Sequence, residues 1–219
     1  MSGLKLYIAN KNYSSWSLRP WLHLRQSGIP FEEHRIPLNT AEWDEKIVKV
    51  SPSGRLPALV DGGAVVWDSL AIILYVIQKF PTAVGWPADE KARAEAISVS
   101  AEMHSGFAAL RQEMPLNCRA RITGLRFSEE AMEDAARIQE IWRTCREGHG
   151  SSGPWLFGPF TAADAMFAPI AVRFLTYGIP LEGPADAYAR AMVELPAVRE
   201  WVEGASREKE VLERYERKP

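Results

Sequence analysis

Arg55-Leu56-Pro57-Ala58-Leu59-Val60-Asp61-Gly62-Gly63-Ala64-Val65-Val66-Trp67-Asp68-Ser69 is the stretch on which the fold turns. Its two apolar runs, Leu59-Val60 and Val65-Val66-Trp67, flank the turn signal Asp61-Gly62-Gly63, and together they read as a β-hairpin. Asp68-Ser69 follows the second run directly and opens a helix that reaches Phe80.

Upstream of the hairpin the chain alternates strand and helix. Leu4, Leu6 and Ile8 alternate with Lys5 and Tyr7, the period of a half-buried strand. Leu18, Trp21, Leu22 and Leu24 supply the apolar positions of a helix between Ser15 and Gln26, closed by Gly28. Pro20 lies inside that span. A proline is tolerated in a first turn and costly beyond it, which places the helix start near Trp16 or Ser17. Phe31 to Ile36 reads as a second strand and Glu42 to Val50 as a short helix. The order β-α-β-α-β-β-α describes a thioredoxin-like domain over residues 1–80, one mixed sheet with helices on its faces.

Downstream the strand signal disappears. Phe80-Pro81-Thr82-Ala83 through Trp86-Pro87 reads as a linker over residues 81–88. Helical patterns then occupy 88 to about 114, 128–147, 162–177, 185–194 and 196–214, with loops at 148–154 and 178–184. The fold class is therefore α/β plus all-α: an N-terminal thioredoxin-like domain followed by a C-terminal helical bundle domain over residues 89–219. The cleft between the two domains is where a ligand is expected.

Bulk properties narrow the function. Of 219 residues, 47% are hydrophobic and 25% charged, an ordinary globular composition, and the formal net charge is −2. A nucleic-acid or anionic-membrane surface favours a basic patch, so neither partner is expected. No apolar run reaches the roughly 18 residues of a membrane span. The start, Met1-Ser2-Gly3-Leu4-Lys5-Leu6, lacks the basic and apolar regions of a signal peptide, so the cytoplasm is the expected location. Cys118 and Cys145 form no CxxC and no ligand spacing with the four histidines; they read as reduced, partly buried thiols, with no metal site.

Four features carry candidate chemistry. Ser14, Ser15 and Ser17 sit where the first strand ends and the first helix begins, a place of free N–H groups and partial positive charge that suits an anion such as a thiolate. Taken alone they are helix caps. Leu56-Pro57 precedes the third strand. A cis bond there leaves the Leu56 N–H and C=O free to pair with an extended peptide, although an isolated X-Pro bond favours trans. Asp68 and Ser69 open the third helix, where Ser69 suits a carboxylate and Asp68 an ammonium; alone they are an N-cap pair. Thr161-Ala162-Ala163-Asp164 is a capping box before an apolar helix, a structural element. In the helical part, His104, Phe107, Arg111, Met114, Asn117 and Arg121 recur at spacings of three to four for much of that run and suggest a slot for an acidic or electrophilic molecule, or plain interhelix packing.

In this order and spacing the four features resemble the glutathione transferase superfamily, over nearly the whole chain. The resemblance implies glutathione as co-substrate, a small electrophilic second substrate, no metal, and a homodimer. It makes Leu56-Pro57 cis, lays glutathione along Arg55, Leu56 and Pro57, and sets its γ-glutamyl end on Asp68 and Ser69. Ser14-Ser15-Trp16-Ser17-Leu18-Arg19 is most similar to the zeta (maleylacetoacetate isomerase) pattern Ser-Ser-Cys-Ser-x-Arg, which carries thiol activation onto Ser14, with Ser15 as its rival. Trp16 replaces the family cysteine. The zeta substrate arginine aligns with Thr176, and Arg173, three positions away on the same helix face, is its candidate substitute. With His104 and Arg111 it forms the expected substrate side. The implied activity is conjugation of glutathione. The alternatives are a glutathione-dependent cis-trans isomerase and a non-catalytic binding or scaffold protein. Tyr7 and Tyr13 are nominal alternatives to serine; Tyr7 lies within the strand pattern and reads as packing.

Overall fold

Leu4, Leu6 and Ile8 of β1 (Leu4–Ile8) are buried while Lys5 and Tyr7 are partly exposed, the alternation that the sequence predicts. The computed structural model describes residues 3–218. β1 is an inner strand of a four-stranded sheet ordered β2-β1-β3-β4. It pairs parallel with β2 (Phe31–Arg35), Leu4 opposite Phe31, and antiparallel with β3 (Ala58–Asp61), Leu6 opposite Leu59. Parallel neighbours need a crossover, which α1 (Ser15–Gln26) supplies. β3 returns through Gly62-Gly63 to β4 (Ala64–Trp67), and Gly62 takes φ +59°, the left-handed conformation a two-residue hairpin turn demands. α2 (Ala41–Val50) and α3 (Ser69–Lys79) complete this thioredoxin-like part.

The second part is helical: α4 (Glu90–Ser105), α5 (Ala108–Glu113), α6 (Glu129–His149), α7 (Ala162–Tyr177), α8 (Gly183–Glu194) and α9 (Pro196–Arg207). α7 is its axis, and Leu175 alone among its residues is exposed. Its capping box forms. Asp164 accepts from Thr161 N (2.7 Å) and Thr161 Oγ1 (2.9 Å), and its other oxygen accepts from Leu156 N (3.0 Å). α1 packs on α7 and α9, so one apolar core runs through both parts. Trp21 of α1 meets Trp201 of α9 edge-on, with ring centroids 5.2 Å apart and both side chains fully buried. Truncating such a ring costs about 3–5 kcal/mol, so the two parts are docked rather than tethered. The connecting segment is pinned as well: Val84 O accepts from His23 Nε2 (2.6 Å), Val84 N donates to Ser27 Oγ (3.0 Å), and Ala162 N donates to Gly85 O (3.1 Å).

Three expectations are corrected. α1 begins at Ser15, so Pro20 lies in its second turn, where it leaves the Trp16 carbonyl without its helical donor. The helix expected over 88–114 is two helices. Phe107 is left-handed (φ 63°), and a Cβ at Gly106 would meet Glu102 O at 2.9 Å, so the chain turns there. Arg111 stabilises the break by donating from Nε to Gly106 O (2.9 Å) and from its terminal nitrogen to Met103 O. The helix expected to reach 214 stops at Arg207. Glu208 then turns inward to accept from Lys11 N (2.7 Å) and Asn12 N (3.0 Å).

Candidate functional site

Two helix N-termini of the sheet layer, and the loop before β3, converge near α4. At α3, Asp68 takes φ 77°; its Oδ1 accepts from Leu70 N (2.9 Å) and Ala71 N (3.2 Å), while Oδ2 lies 3.2 Å from His104 Nε2 of α4. One carboxylate oxygen thus caps the helix and the other faces the cleft. Ser69 beside it is buried, and its Oγ has no hydrogen-bond partner among the described residues. A hydroxyl in that state, on a positive helix end, costs free energy until an acceptor arrives. Leu56-Pro57 is cis, and among the described residues no backbone group pairs with the Leu56 N–H or C=O. A cavity of about 350 Å³ runs between these features, lined by Arg55, Leu56, Pro57, Trp67, Asp68 and Ser69, with Ser53, Trp16 and His104 completing its walls. Burial holds the His104 imidazole below its ordinary range; the Asp68 carboxylate opposes this, and Arg19 and Arg111 reinforce it.

The α1 N-terminus stands behind Trp16. Ser14 is its N-cap: its Oγ accepts from Ser17 N (3.3 Å) and donates to Ser17 Oγ (2.8 Å). Ser15 Oγ accepts from Arg173 of α7 at 3.1 Å. The Trp16 ring carries the Arg19 guanidinium 4.4 Å and the Arg111 guanidinium 4.8 Å from its centroid, and meets the His104 ring edge-on at 5.4 Å. Arg19 is fully buried and none of its three guanidinium nitrogens has a partner among the described residues; the same holds for Arg173 Nε and Nη1. Burial lowers both guanidinium groups, Arg173 to about 9, and the neighbouring arginines add to this. Arg173 remains charged at neutral pH. The site is therefore strongly electropositive on its inner side.

Of the residues singled out from sequence, Arg55, Leu56, Pro57, Asp68, Ser69 and His104 line one cavity. Ser14 and Ser15 do not line it; they lie behind Trp16, 7% and 4% exposed. Arg111 and Arg173 lie on that inner side too. Phe107 and Met114 belong to the core, and Asn117 bridges Asn12 and Glu216, so the expected slot along that run is not formed by these three. Tyr13 is fully engaged, its hydroxyl donating to Glu216 (2.6 Å) and accepting from Arg119 (2.9 Å), which leaves it nothing for a thiol. Cys118 and Cys145 are buried and unpaired, and burial pushes both thiols up to about 12. Sequence reasoning missed Arg19 and Trp67 as site residues and read Trp16 only as a departure. The usable signal was the packing of tryptophan and arginine one turn apart in Trp16-Ser17-Leu18-Arg19.

Comparison with known proteins decides the family. Residues 13–79 match the model of the glutathione S-transferase N-terminal domain, and residues 99–204 that of the C-terminal domain. The chain belongs to the glutathione S-transferase superfamily. Relatives of this transferase-family chain include mouse glutathione S-transferase theta-1, 33% identical over 39% of the chain and 37% of the relative, and a zeta-class glutathione S-transferase of Euphorbia esula, 36% identical over 39% and 38%. The match spans about two fifths of the length of these curated relatives. Solved structures agree over far more of the fold. A Burkholderia glutathione transferase homologue with bound glutathione superposes with TM-score 0.70 at 22% identity, covering 94% of this chain and 99% of its own. The nitrogen regulation fragment of a yeast prion protein superposes with TM-score 0.69 at 21% identity, covering 93% and 97%. The transferase fold is thus common to proteins of different named roles. Among the described residues no helix is long and apolar enough to cross a membrane.

Proposed function

We propose that the protein binds glutathione in the Leu56–Ser69 cavity and catalyses attack of its thiolate on a small electrophile. The observation that carries this reading is the convergence, in one cavity, of an unpaired Leu56 backbone, an unpartnered Ser69 hydroxyl on a helix N-terminus and the outward oxygen of Asp68. A peptide strand pairs with Leu56, its γ-glutamyl carboxylate accepts from Ser69, and its ammonium donates to Asp68. The sulfur end then points towards Trp16 and the start of α1. A free thiol has a pKa near 8.5, and lowering it by about two units takes about 2.7 kcal/mol, within reach of one charge-assisted serine bond plus a helix dipole. The thiol proton leaves to solvent, the sulfur forms a bond to the electrophilic carbon, and the leaving group departs with its electron pair.

A second reading is supported by Arg173. It lies beside Ser15, and the chain has zeta-class relatives. The sulfur adds to a double bond, the single bond so formed rotates, and elimination of the sulfur returns the other isomer. Retention on immobilised glutathione, followed by conjugation of an aryl halide and isomerisation of a maleyl diacid, tests both. Conjugation alone supports the first reading, and isomerisation lost in Arg173→Ala supports the second. Absence of binding leaves only a scaffold role. The exposed apolar side chains Val65, Trp67, Leu74 and Ile97 on β4, α3 and α4 support a homodimer as the working assembly, which sedimentation tests.

A further inference from the structure

We propose that Arg19, Arg111 and Arg173 form an oxyanion site behind Trp16, set apart from the Leu56–Ser69 cavity, that takes a sulfate-like or carboxylate group. Arg19 comes from α1, Arg111 from α5 and Arg173 from α7. They stand close to one another: after burial, the larger cause, Arg111 and Arg173 lower Arg19, and Arg111 lowers Arg173. What they lack is an acid. Arg19 Nε, Nη1 and Nη2, Arg111 Nη1, and Arg173 Nε and Nη1 are buried with no hydrogen-bond partner among the described residues. The acidic groups nearby are committed elsewhere. Asp68 caps α3 with one oxygen and pairs with His104 through the other, and Asp134 accepts from Leu110 N at 3.0 Å. Tyr177 and Cys118, which face Arg173, are held protonated by burial at about 12, and the Tyr177 hydroxyl donates to Pro115 O.

Packing does not account for this cluster. A methionine or leucine fills buried volume without a charge to desolvate, whereas a buried guanidinium with no anion destabilises the fold. Arg111 and Arg173 are also fixed in place, the first by donating to Gly106 O and Met103 O, the second by donating to Ser15 Oγ at 3.1 Å, so their free N–H groups are aimed rather than loose. A guanidinium fork presents parallel N–H groups that match two oxygens of one oxyanion better than a single halide. Trp16 is the door. Its half-buried ring lines the Leu56–Ser69 cavity and covers Arg19 at 4.4 Å and Arg111 at 4.8 Å. Turning the ring aside exchanges two cation–π contacts for charge-assisted hydrogen bonds, the stronger interaction in a dry site. Two sources share this chemistry: a free inorganic oxyanion, and the carboxylate of a small molecule that enters by the cavity.

The test follows the melting temperature and tryptophan fluorescence of the full chain without glutathione, titrated with sulfate in one arm and succinate in the other at constant ionic strength. Wild type is expected to show a saturating rise in melting temperature, about 5–10 °C at a hundredfold excess over the dissociation constant, and a fluorescence change that saturates over the same range. Arg19→Met is expected to start from a higher melting temperature and to lose the saturating rise, keeping only the gradual rise that sulfate gives by exclusion from any protein surface. Arg19→Lys is expected to keep part of the saturating rise, and Trp16→Phe to keep the rise and lose the fluorescence change. If Arg19→Met does not fold, Arg173→Met carries the same comparison. A saturating response to sulfate supports the site with a free inorganic oxyanion as occupant, and a response to succinate alone supports it with a carboxylate. No saturating response to either anion, one that survives both arginine variants, or a fluorescence change that persists in Trp16→Phe overturns the proposal. None of these results involves glutathione, so the site stands or falls apart from the function proposed above.

Discussion

Arg173→Met is expected to make the protein more stable, although it removes a buried hydrogen bond. Arg173 is 4% exposed, and burial holds its guanidinium well below its ordinary range, at about 9. At ~1.4 kcal/mol for each factor of ten, keeping the charge in that place costs the fold about 5 kcal/mol. The cost is whole at neutral pH: folded and unfolded forms are both protonated below pH 9, and it fades only as pH rises above that. Methionine keeps the length and apolar stem, removes the charge, and forfeits the bond to Ser15, worth about 1.5–3 kcal/mol. The balance favours the variant by about 2–3 kcal/mol. At ~2–4 °C for each kcal/mol in a chain of this size, the melting temperature rises by about 5–10 °C. Scanning calorimetry without ligand is the assay. A fall of several degrees would refute the reasoning, because it would mean that Arg173 is net stabilising where it stands. A stability gain marks a residue kept for something other than stability.

Asp68→Asn keeps an N-cap that tolerates φ 77° but removes the cleft-facing charge, so glutathione affinity falls by about tenfold or more while the melting temperature changes little. Ser69→Ala has the same signature, since its hydroxyl has no partner among the described residues. Asp164→Ala loses three hydrogen bonds at a fully buried position and is expected to cost about 3 kcal/mol, read as a drop in denaturation midpoint. His23 is fully buried, burial lowers its imidazole from 6.5 to about 4, and its Nε2–H donates to Val84 O. The unfolded chain takes up that proton below pH 6.5 and the folded chain does not, so stability declines as pH falls from 6.5 to 4, by about 3 kcal/mol. His23→Gln flattens that limb of the stability-against-pH curve. Asp164, which burial raises to about 6, contributes in the opposite sense and remains in both proteins.

The sheet layer was legible because its signals are local. Alternation at Leu4-Leu6-Ile8, the Asp61-Gly62-Gly63 turn and the Asp68 cap each act over a few residues, and each forms. The capping box at Thr161 was legible for the same reason. The break at Gly106-Phe107 was not, because apolar spacing continues across it and the turn is stabilised from a distance by Arg111. The end of α9 was obscured likewise: its helical pattern runs on past Arg207, but Glu208 is drawn to the Lys11 and Asn12 amides nearly two hundred residues away. In the candidate site, Arg55, Leu56, Pro57, Asp68 and Ser69, singled out from one short stretch of sequence, line one cavity. The roles of Arg19, Trp16 and Arg173 depend on how α1 meets α5 and α7, and no local pattern encodes that meeting.

Calorimetric titration of glutathione into the wild-type protein tests the central claim most directly. The account predicts saturable binding, one glutathione per chain, with a dissociation constant in the micromolar to millimolar range usual for enzyme substrates, and a clear weakening in Ser69→Ala. No saturable heat up to millimolar glutathione, or binding that Ser69→Ala and Asp68→Asn leave untouched, would contradict it.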